Sequence, residues 1–140
     1  MILPATSLYG GTLGLVYFLM TVYVAQYRLA HNILIGDGGN KKLLQIVRGH
    51  GNFMEYTPTV LVLLMLAEFQ GSHRGLVYLL GGMFTVGRLL YAVHSFFQGS
   101  RVFRVLGMLS TVAPMLLLGL VLVKDGLAGY PPTVLLGNDV

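Results

Sequence analysis

Charged side chains interrupt the hydrophobic sequence at only a few places. Residues 1–27 carry no charge, and a helix needs about 20 apolar residues to cross a hydrocarbon core of about 30 Å. The predicted spans cover residues 5–28, 43–67, 75–97 and 105–123. The pattern predicts an all-α integral membrane protein, a four-transmembrane-helix bundle, as a single domain over residues 1–140 with a C-terminal tail from residue 124.

The composition agrees with a membrane location. The chain is 55% hydrophobic and 10% charged, whereas soluble domains carry about 25% charged residues. The hydrophobic excess is therefore expected to face lipid. The absence of cysteine excludes disulfides and thiolate metal sites, so any thiol chemistry requires a thiol from a ligand.

The distribution of basic residues predicts the orientation. The first and third connections and their flanks hold Arg28, Lys41, Lys42, Arg48, Arg101 and Arg104. The second connection and the tail hold Arg74 and Lys124. Because basic residues favour cytoplasmic loops, the first and third connections are expected in the cytoplasm and both termini on the opposite side. No nucleic-acid partner is expected, since no basic run alternates with aromatic residues.

The second span begins with a polar segment, R-G-H-G-N-F-M-E-Y-T-P at residues 48–58. At about 100° per residue, Arg48, Asn52 and Glu55 share one helix face. Ionisable groups at membrane depth tend to mark functional sites. The alternative is an Arg–Glu pair that neutralises itself and only joins helices. His50 falls on another face, where a packing role and a ligand contact both remain open.

The third span adds a second group of polar side chains. Arg88, Tyr91 and Ser95 share a face, and a buried Arg88 needs a partner, for which Glu55 is the candidate. His94 points partly away and is interpreted as an interfacial histidine. No metal centre is expected, because scattered histidines supply too few ligands.

Five arginines are expected near one membrane face. Each of Arg28, Arg101 and Arg104 alone could simply extend to the lipid headgroups. Together with Arg48 and Arg88 they would form a cluster suited to a ligand with several carboxylates, which arginine binds through two parallel hydrogen bonds.

At these residues the sequence resembles the MAPEG family, the membrane-associated proteins in eicosanoid and glutathione metabolism. The first block is Arg48, Asn52 and Glu55, followed by Tyr56 and Pro58. With His50, it is similar to the microsomal glutathione transferase and prostaglandin E synthase branches. The preceding loop, GDGGN, looks like the bacterial members, which implies a bacterial inner membrane. A second block consists of Arg88, Tyr91 and Arg104.

The resemblance implies a homotrimer of four-helix subunits, with glutathione as co-substrate between neighbouring subunits near the cytoplasmic face. The implied glutathione-binding residues are Arg48, His50, Asn52, Glu55, Tyr56, Arg88 and Tyr91. Arg104 would stabilise the glutathione thiolate, with Arg101 as the alternative, and Arg28 matches a basic residue near the reacting centre.

The implied activity is that of a detoxifying glutathione transferase or peroxidase acting on a lipophilic electrophile or lipid hydroperoxide. Two departures from the family pattern narrow the expected activity. Ser95 replaces a tyrosine that contacts glutathione in several relatives, and Val105 follows Arg104 where the prostaglandin synthases resemble Arg-Ser, which argues against prostaglandin isomerisation. The alternatives are a non-enzymatic lipid-binding scaffold and a small proton-coupled exporter that uses Glu55.

Overall fold

The computed structural model describes residues 2–97 and 99–129, which include four long helices. The helices are α1 (Pro4–Ala30), α2 (Lys41–Phe69), α3 (Arg74–Phe97) and α4 (Arg101–Leu127). The described part of the chain contains no strand, in agreement with the predicted all-α fold. Residues 101–104 and 124–127, predicted as connection and tail, belong to α4. Residues 130–140 of the predicted tail lie outside the described residues.

Two helices begin where a side chain satisfies backbone N–H groups of the first turn. The Asn40 side-chain oxygen accepts hydrogen bonds from the amides of Lys42 and Leu43, both at 3.0 Å. The Ser100 hydroxyl accepts one from Val102 N at 3.1 Å. Such caps stabilise a helix by about 1 kcal/mol. They set the starts of α2 and α4, the two helices that carry most of the polar groups described below.

Apolar side chains fill most of the bundle interior and also cover much of its outside, and a few polar side chains are buried between the helices. Helix α2 packs against each of the other three helices, and α3 also packs against α1 and α4. The interior contains Thr85, Arg88, Ser95 and Thr111, all buried. Leucine, valine and phenylalanine side chains cover much of the outer surface. This arrangement is expected when the surrounding solvent is lipid, because lipid accepts apolar side chains while polar groups pair inside.

Helices α3 and α4 approach closely at a pair of glycines. A Cβ atom on Gly107 would lie 2.9 Å from the Gly87 carbonyl oxygen, and one on Gly87 would lie 3.0 Å from the Gly107 carbonyl oxygen. Small residues at such crossings let helix backbones pack in direct contact. Since the next residue after Gly87 is Arg88, this contact brings the Arg88 side chain against α4.

Three of the four helices are long and apolar enough to cross a membrane. These are α1, α3 and α4. Helix α2 is just as long, but its first half carries the polar segment that begins at Arg48. Its second half, residues 56–67, contains no charged residue.

Candidate functional site

A polar cleft of about 390 Å³ opens between α2, α3 and α4. Five of the ten sequence-predicted site residues line it: Arg48, Asn52 and Glu55 from α2, Tyr91 from α3 and Arg104 from α4. Its volume lies within the range of about 300–1,000 Å³ typical of small-ligand pockets. The α2 residues reach it because spacings of four and three place them on one face, while α3 and α4 each add a side chain at the same end of the bundle.

The charged groups of the cleft are exposed and unpaired with one another. Arg48, Glu55 and Arg104 are all exposed in the single chain. Among the described residues the one ion pair joins Lys124 and Asp125, at 3.9 Å. Arg48 and Glu55 therefore do not form the self-neutralising pair that their spacing allowed, so both are available to a ligand or a neighbouring chain.

Arg88 lies behind the cleft and is fully buried, with 0% of its surface exposed. Its Nη1 donates to the Asn52 side-chain oxygen at 2.9 Å and to the Asn52 backbone oxygen at 3.3 Å. Its Nη2 donates to the Thr111 hydroxyl. The prediction that Glu55 is its partner is wrong: the guanidinium is held by neutral oxygens, and Glu55 projects from α2 without reaching it.

Three aromatic rings surround the Arg88 guanidinium. Its central carbon lies 5.5 Å from the ring centroid of Tyr56, 5.8 Å from that of Phe84 and 5.2 Å from that of Tyr91. A guanidinium within about 6 Å of an aromatic ring is attracted by the ring's negative face. Tyr56 and Arg88, predicted as direct ligand contacts, therefore lie beneath the cleft. Tyr91 lines the cleft and also contacts Arg88.

His50 faces α1 instead of the cleft. Its Nε2 lies 3.0 Å from the Thr21 hydroxyl, and its ring stacks on Tyr17 with centroids 4.7 Å apart. Of the two interpretations left open by the sequence, the contacts are those of helix packing. Within one chain His50 does not line the cleft, because its helical position turns it away from Arg48 and Asn52, and its contact with glutathione stays a prediction.

Arg28 and Arg101 also lie outside the cleft. Arg28 Nη1 donates to the backbone oxygens of Ile33, Leu34 and Gly36, at 3.3, 3.4 and 2.8 Å. Arg101 is exposed and does not line the cleft. Of the five arginines expected near one membrane face, Arg48 and Arg104 line the cleft, Arg88 lies behind it, and Arg28 organises the α1–α2 loop of its own chain.

Four residues that were not predicted as ligand contacts complete the lining: Gln45, Gly49, His94 and Ser95. Gln45 Nε2 donates to the His94 backbone oxygen at 3.0 Å, and His94 Nδ1 donates to Gly99 O at 2.7 Å. The helical period could have identified Gln45, which precedes Arg48 by three positions on the same face. Ser95 was recognised only as a departure from the family pattern, and it lies against Gly49.

A separate apolar groove of about 470 Å³ lies between α1 and α3. Aliphatic side chains line it together with Tyr23, Phe96 and Phe97, and Gln26 is its polar group. By helical period, the α3 residues of the groove and those of the polar cleft occupy opposite faces of α3. Within one chain the groove and the cleft are therefore separated by the helix.

The sequence of the whole bundle matches one known family. The model of the MAPEG family matches residues 6–124, from the start of α1 to the last turns of α4. The chain belongs to the MAPEG family. The match includes every residue of the cleft, so the polar layer at the start of α2 belongs to a MAPEG-type membrane bundle and the suspected resemblance is confirmed.

Two bacterial proteins are similar to this chain in sequence. The inner membrane protein YecN of Escherichia coli strain K12 is 30% identical over 86 residues, which are 61% of this chain and 66% of YecN. YecN of Escherichia coli O6:H1 strain CFT073 gives the same values. The chain thus spans slightly less than two thirds of these relatives. Their name, together with the apolar helices, supports a membrane location for this MAPEG protein.

Proposed function

We propose that this protein is a membrane-bound glutathione transferase or peroxidase. The observation that carries the proposal is the joining of Arg48, Asn52, Glu55, Tyr91 and Arg104 in one open cleft. Family membership supplies the ligand class, since MAPEG proteins belong to glutathione and eicosanoid metabolism. The cleft supplies the groups that such a ligand needs.

Glutathione presents two carboxylates, one ammonium group and a thiol. In the proposed complex Arg48 binds a carboxylate, for which its planar guanidinium is suited. Glu55 accepts hydrogen bonds from the ammonium group, and Tyr91 donates its hydroxyl to the peptide. The cleft thus contains both cationic and anionic groups. That mixture fits a zwitterionic peptide better than a purely anionic lipid headgroup.

Arg104 is the proposed stabiliser of the glutathione sulfur. It lies in the first turn of α4, where the helix dipole adds partial positive charge. A free thiol of this type has a pKa of about 8.5, and the thiolate is the nucleophile. A neighbouring guanidinium favours the anion, and each tenfold gain in thiolate corresponds to about 1.4 kcal/mol. The thiol proton passes to water.

The proposed reactions use that thiolate on a lipophilic partner. In conjugation, sulfur forms a bond to an electrophilic carbon, and the leaving group departs with the displaced electron pair. In hydroperoxide reduction, sulfur attacks the outer peroxide oxygen and the alcohol is released after protonation. The resulting sulfenic acid then reacts with a second glutathione to give the disulfide and water. Arg104 can also stabilise negative charge that develops on the acceptor.

The proposed assembly is a homotrimer in which α2 is the fourth membrane span. Glu55 lies fourteen residues into α2, which is about 21 Å at 1.5 Å per residue. An exposed carboxylate at such depth is costly in hydrocarbon, so a neighbouring copy covering this α2 face would remove the penalty. The proposed topology places the cleft towards the cytoplasm and both termini on the opposite side, because the basic residues concentrate at the cleft end.

The test is the ultraviolet thiolate signal on adding glutathione to the purified, detergent-solubilised protein. Arg104→Ala is compared with Arg101→Ala, which removes an exposed arginine from the same helical turn but outside the cleft. We expect a signal at neutral pH in the wild type and in Arg101→Ala, and its loss in Arg104→Ala. Calorimetry shows whether glutathione still binds to each variant.

Different failures of this experiment have different meanings. A normal thiolate signal in Arg104→Ala with glutathione bound would show that another group stabilises the sulfur. No signal and no glutathione binding in the wild type would overturn the proposed activity and leave the lipid-binding scaffold. Proton-coupled uptake of a cationic dye into vesicles would instead favour the exporter.

A further inference from the structure

Asn52 lies between the cleft and the buried arginine layer. Its side-chain oxygen accepts from Arg88 Nη1 at 2.9 Å, and its backbone oxygen accepts from the same nitrogen at 3.3 Å. An asparagine carboxamide has one acceptor oxygen and one donor NH₂ group. With the oxygen engaged from behind, the nitrogen is the group that this side chain offers to the cleft.

The orientation of Arg88 depends in turn on Thr111. The Thr111 side chain is 0% exposed and accepts a hydrogen bond from Arg88 Nη2. Its own hydroxyl proton goes to the Gly107 carbonyl oxygen at 2.7 Å, so its lone pair faces the guanidinium. The direct contact of α3 and α4 at Gly87 and Gly107 places this hydroxyl within reach of Arg88.

The remaining contacts of Arg88 are weaker, and they do not fix how the planar guanidinium group is rotated within its own plane. Its Nη2 lies 4.0 Å from the sulfur of Met108, and its Nε has no hydrogen-bond partner among the described residues. Aromatic rings attract the guanidinium, but this attraction does not depend on how the group is rotated within its own plane. Thr111 and Asn52 are therefore the two strong contacts that fix it, one on each side.

We propose that Thr111 is a positioning residue for the glutathione cleft, acting through Arg88 to hold the Asn52 carboxamide with its NH₂ group towards the ligand. This inference rests on the proposed function and deepens it. It assigns to Asn52 a donor role, towards a carboxylate or peptide oxygen of the bound thiol peptide. The sequence resemblance gives no role to Thr111, which lies seven residues beyond Arg104.

The first test compares three threonine variants by calorimetry with glutathione. Thr111→Val keeps the side-chain shape and removes the hydroxyl, whereas Thr111→Ser keeps the hydroxyl. The control is Thr85→Val, because Thr85 is also buried and also donates to the carbonyl oxygen four residues earlier, at 2.8 Å. We expect about a tenfold rise in Kd for Thr111→Val, as a bond to a charged group is lost, and near wild-type values for Thr111→Ser and Thr85→Val.

The second test examines the orientation of Asn52. Asn52→Asp replaces the NH₂ donor by an acceptor that can pair with Arg88. We expect this variant to fold with at least wild-type thermal stability and to bind glutathione more weakly. Tighter binding would overturn the donor role.

A double variant tests whether Thr111 and Asn52 act together. In the Thr111→Val background, Asn52→Ala should weaken glutathione binding less than it does in the wild type, since the effects of residues that act through one another are not additive. Additive effects of the two substitutions on binding would overturn the proposal that Thr111 acts on Asn52 through Arg88.

A readout without ligand separates this proposal from the proposed function. In ¹⁵N-labelled protein the Asn52 NH₂ group should give a single sharp pair of resonances in the wild type and in Thr111→Ser, and broadened or multiple pairs in Thr111→Val. Unchanged resonances in Thr111→Val would overturn the positioning role even if glutathione binds. If the wild type binds no glutathione but Thr111→Val still shows the broadening, the proposed function is overturned and the positioning of Asn52 by Thr111 through Arg88 is kept.

Discussion

The carboxylate of Glu68, at the end of α2, caps the first turn of α1 at Ala5. Glu68 Oε1 accepts from Ala5 N, and Oε2 accepts from Thr6 N, both at 2.8 Å. The first backbone N–H groups of a helix lack partners within the helix and carry partial positive charge. One side chain thus joins the start of α1 to the α2–α3 turn, sixty-three residues away in sequence.

Replacing Glu68 by glutamine should therefore destabilise the bundle. Glutamine keeps one acceptor oxygen but loses the second and the negative charge, so we expect a loss of about 1 kcal/mol. Thermal unfolding in detergent measures it. The matched control is Asp125→Asn, whose carboxylate contacts the exposed Lys124 at 3.9 Å and should matter little. Equal midpoints for Glu68→Gln and the wild type would contradict the capping role.

The same contact predicts an effect of pH on stability. Glu68 follows the predicted span 43–67. Burial raises the pKa of its carboxyl, but hydrogen bonds from Thr6 and Ala5 and the charge of Arg74 outweigh burial and lower the pKa below the ordinary value of 4.5. A lowered folded-state pKa stabilises the fold above the unfolded value and ceases to do so as the pH falls through the folded value. The stability difference between wild type and Glu68→Gln should therefore shrink in acid, and a constant difference would exclude this linkage.

Glu55 should determine recognition of the ligand's amino group. Glu55→Gln is expected to raise the KM for glutathione about tenfold, as a charge-assisted hydrogen bond is weakened. With N-acetylated glutathione, which lacks the ammonium group, the wild type and the variant should have similar KM values. Steady-state kinetics with both peptides makes the comparison. An equal loss with both peptides would place Glu55 in a structural role.

Arg28 should act on the α1–α2 loop of its own chain and not on the thiol. Its three bonds to loop carbonyls predict faster hydrogen exchange over residues 33–40 in Arg28→Ala. Because Arg28 lies outside the cleft, the thiolate signal per bound glutathione should remain that of the wild type. Loss of that signal at full glutathione occupancy would restore the catalytic role that the resemblance implied, supplied in that case by a neighbouring subunit.

The close contact of α3 and α4 makes Gly107 sensitive to substitution. Gly107→Ala would place a methyl group 2.9 Å from the Gly87 carbonyl oxygen, and such overpacking costs about 1–3 kcal/mol. Gly119→Ala, on the same helix with open space at the Cβ position, is the control and should be tolerated. Thermal unfolding distinguishes them. Equal stability of the two variants would show that the helices can separate at this point without cost.

Local periodicity was sufficient to find the helices and one face of the site. Runs of apolar residues predicted the four helices to within a few residues, because helix length is tied to bilayer thickness. Spacings of four and three in α2 placed Arg48, Asn52 and Glu55 on one face, and the structure puts all three in the cleft. These features depend on the geometry of a single helix, which the sequence alone determines.

The partners between helices were decided by tertiary packing. The sequence offered Glu55 as the natural counter-charge for Arg88, yet the rotation of α3 against α2 and α4 presents Asn52 and Thr111 instead. The same packing turns His50 towards α1 and Arg28 towards its own loop. Charge and residue type show which groups require a partner, but only the relative rotation and close approach of the helices decide which partner each one meets.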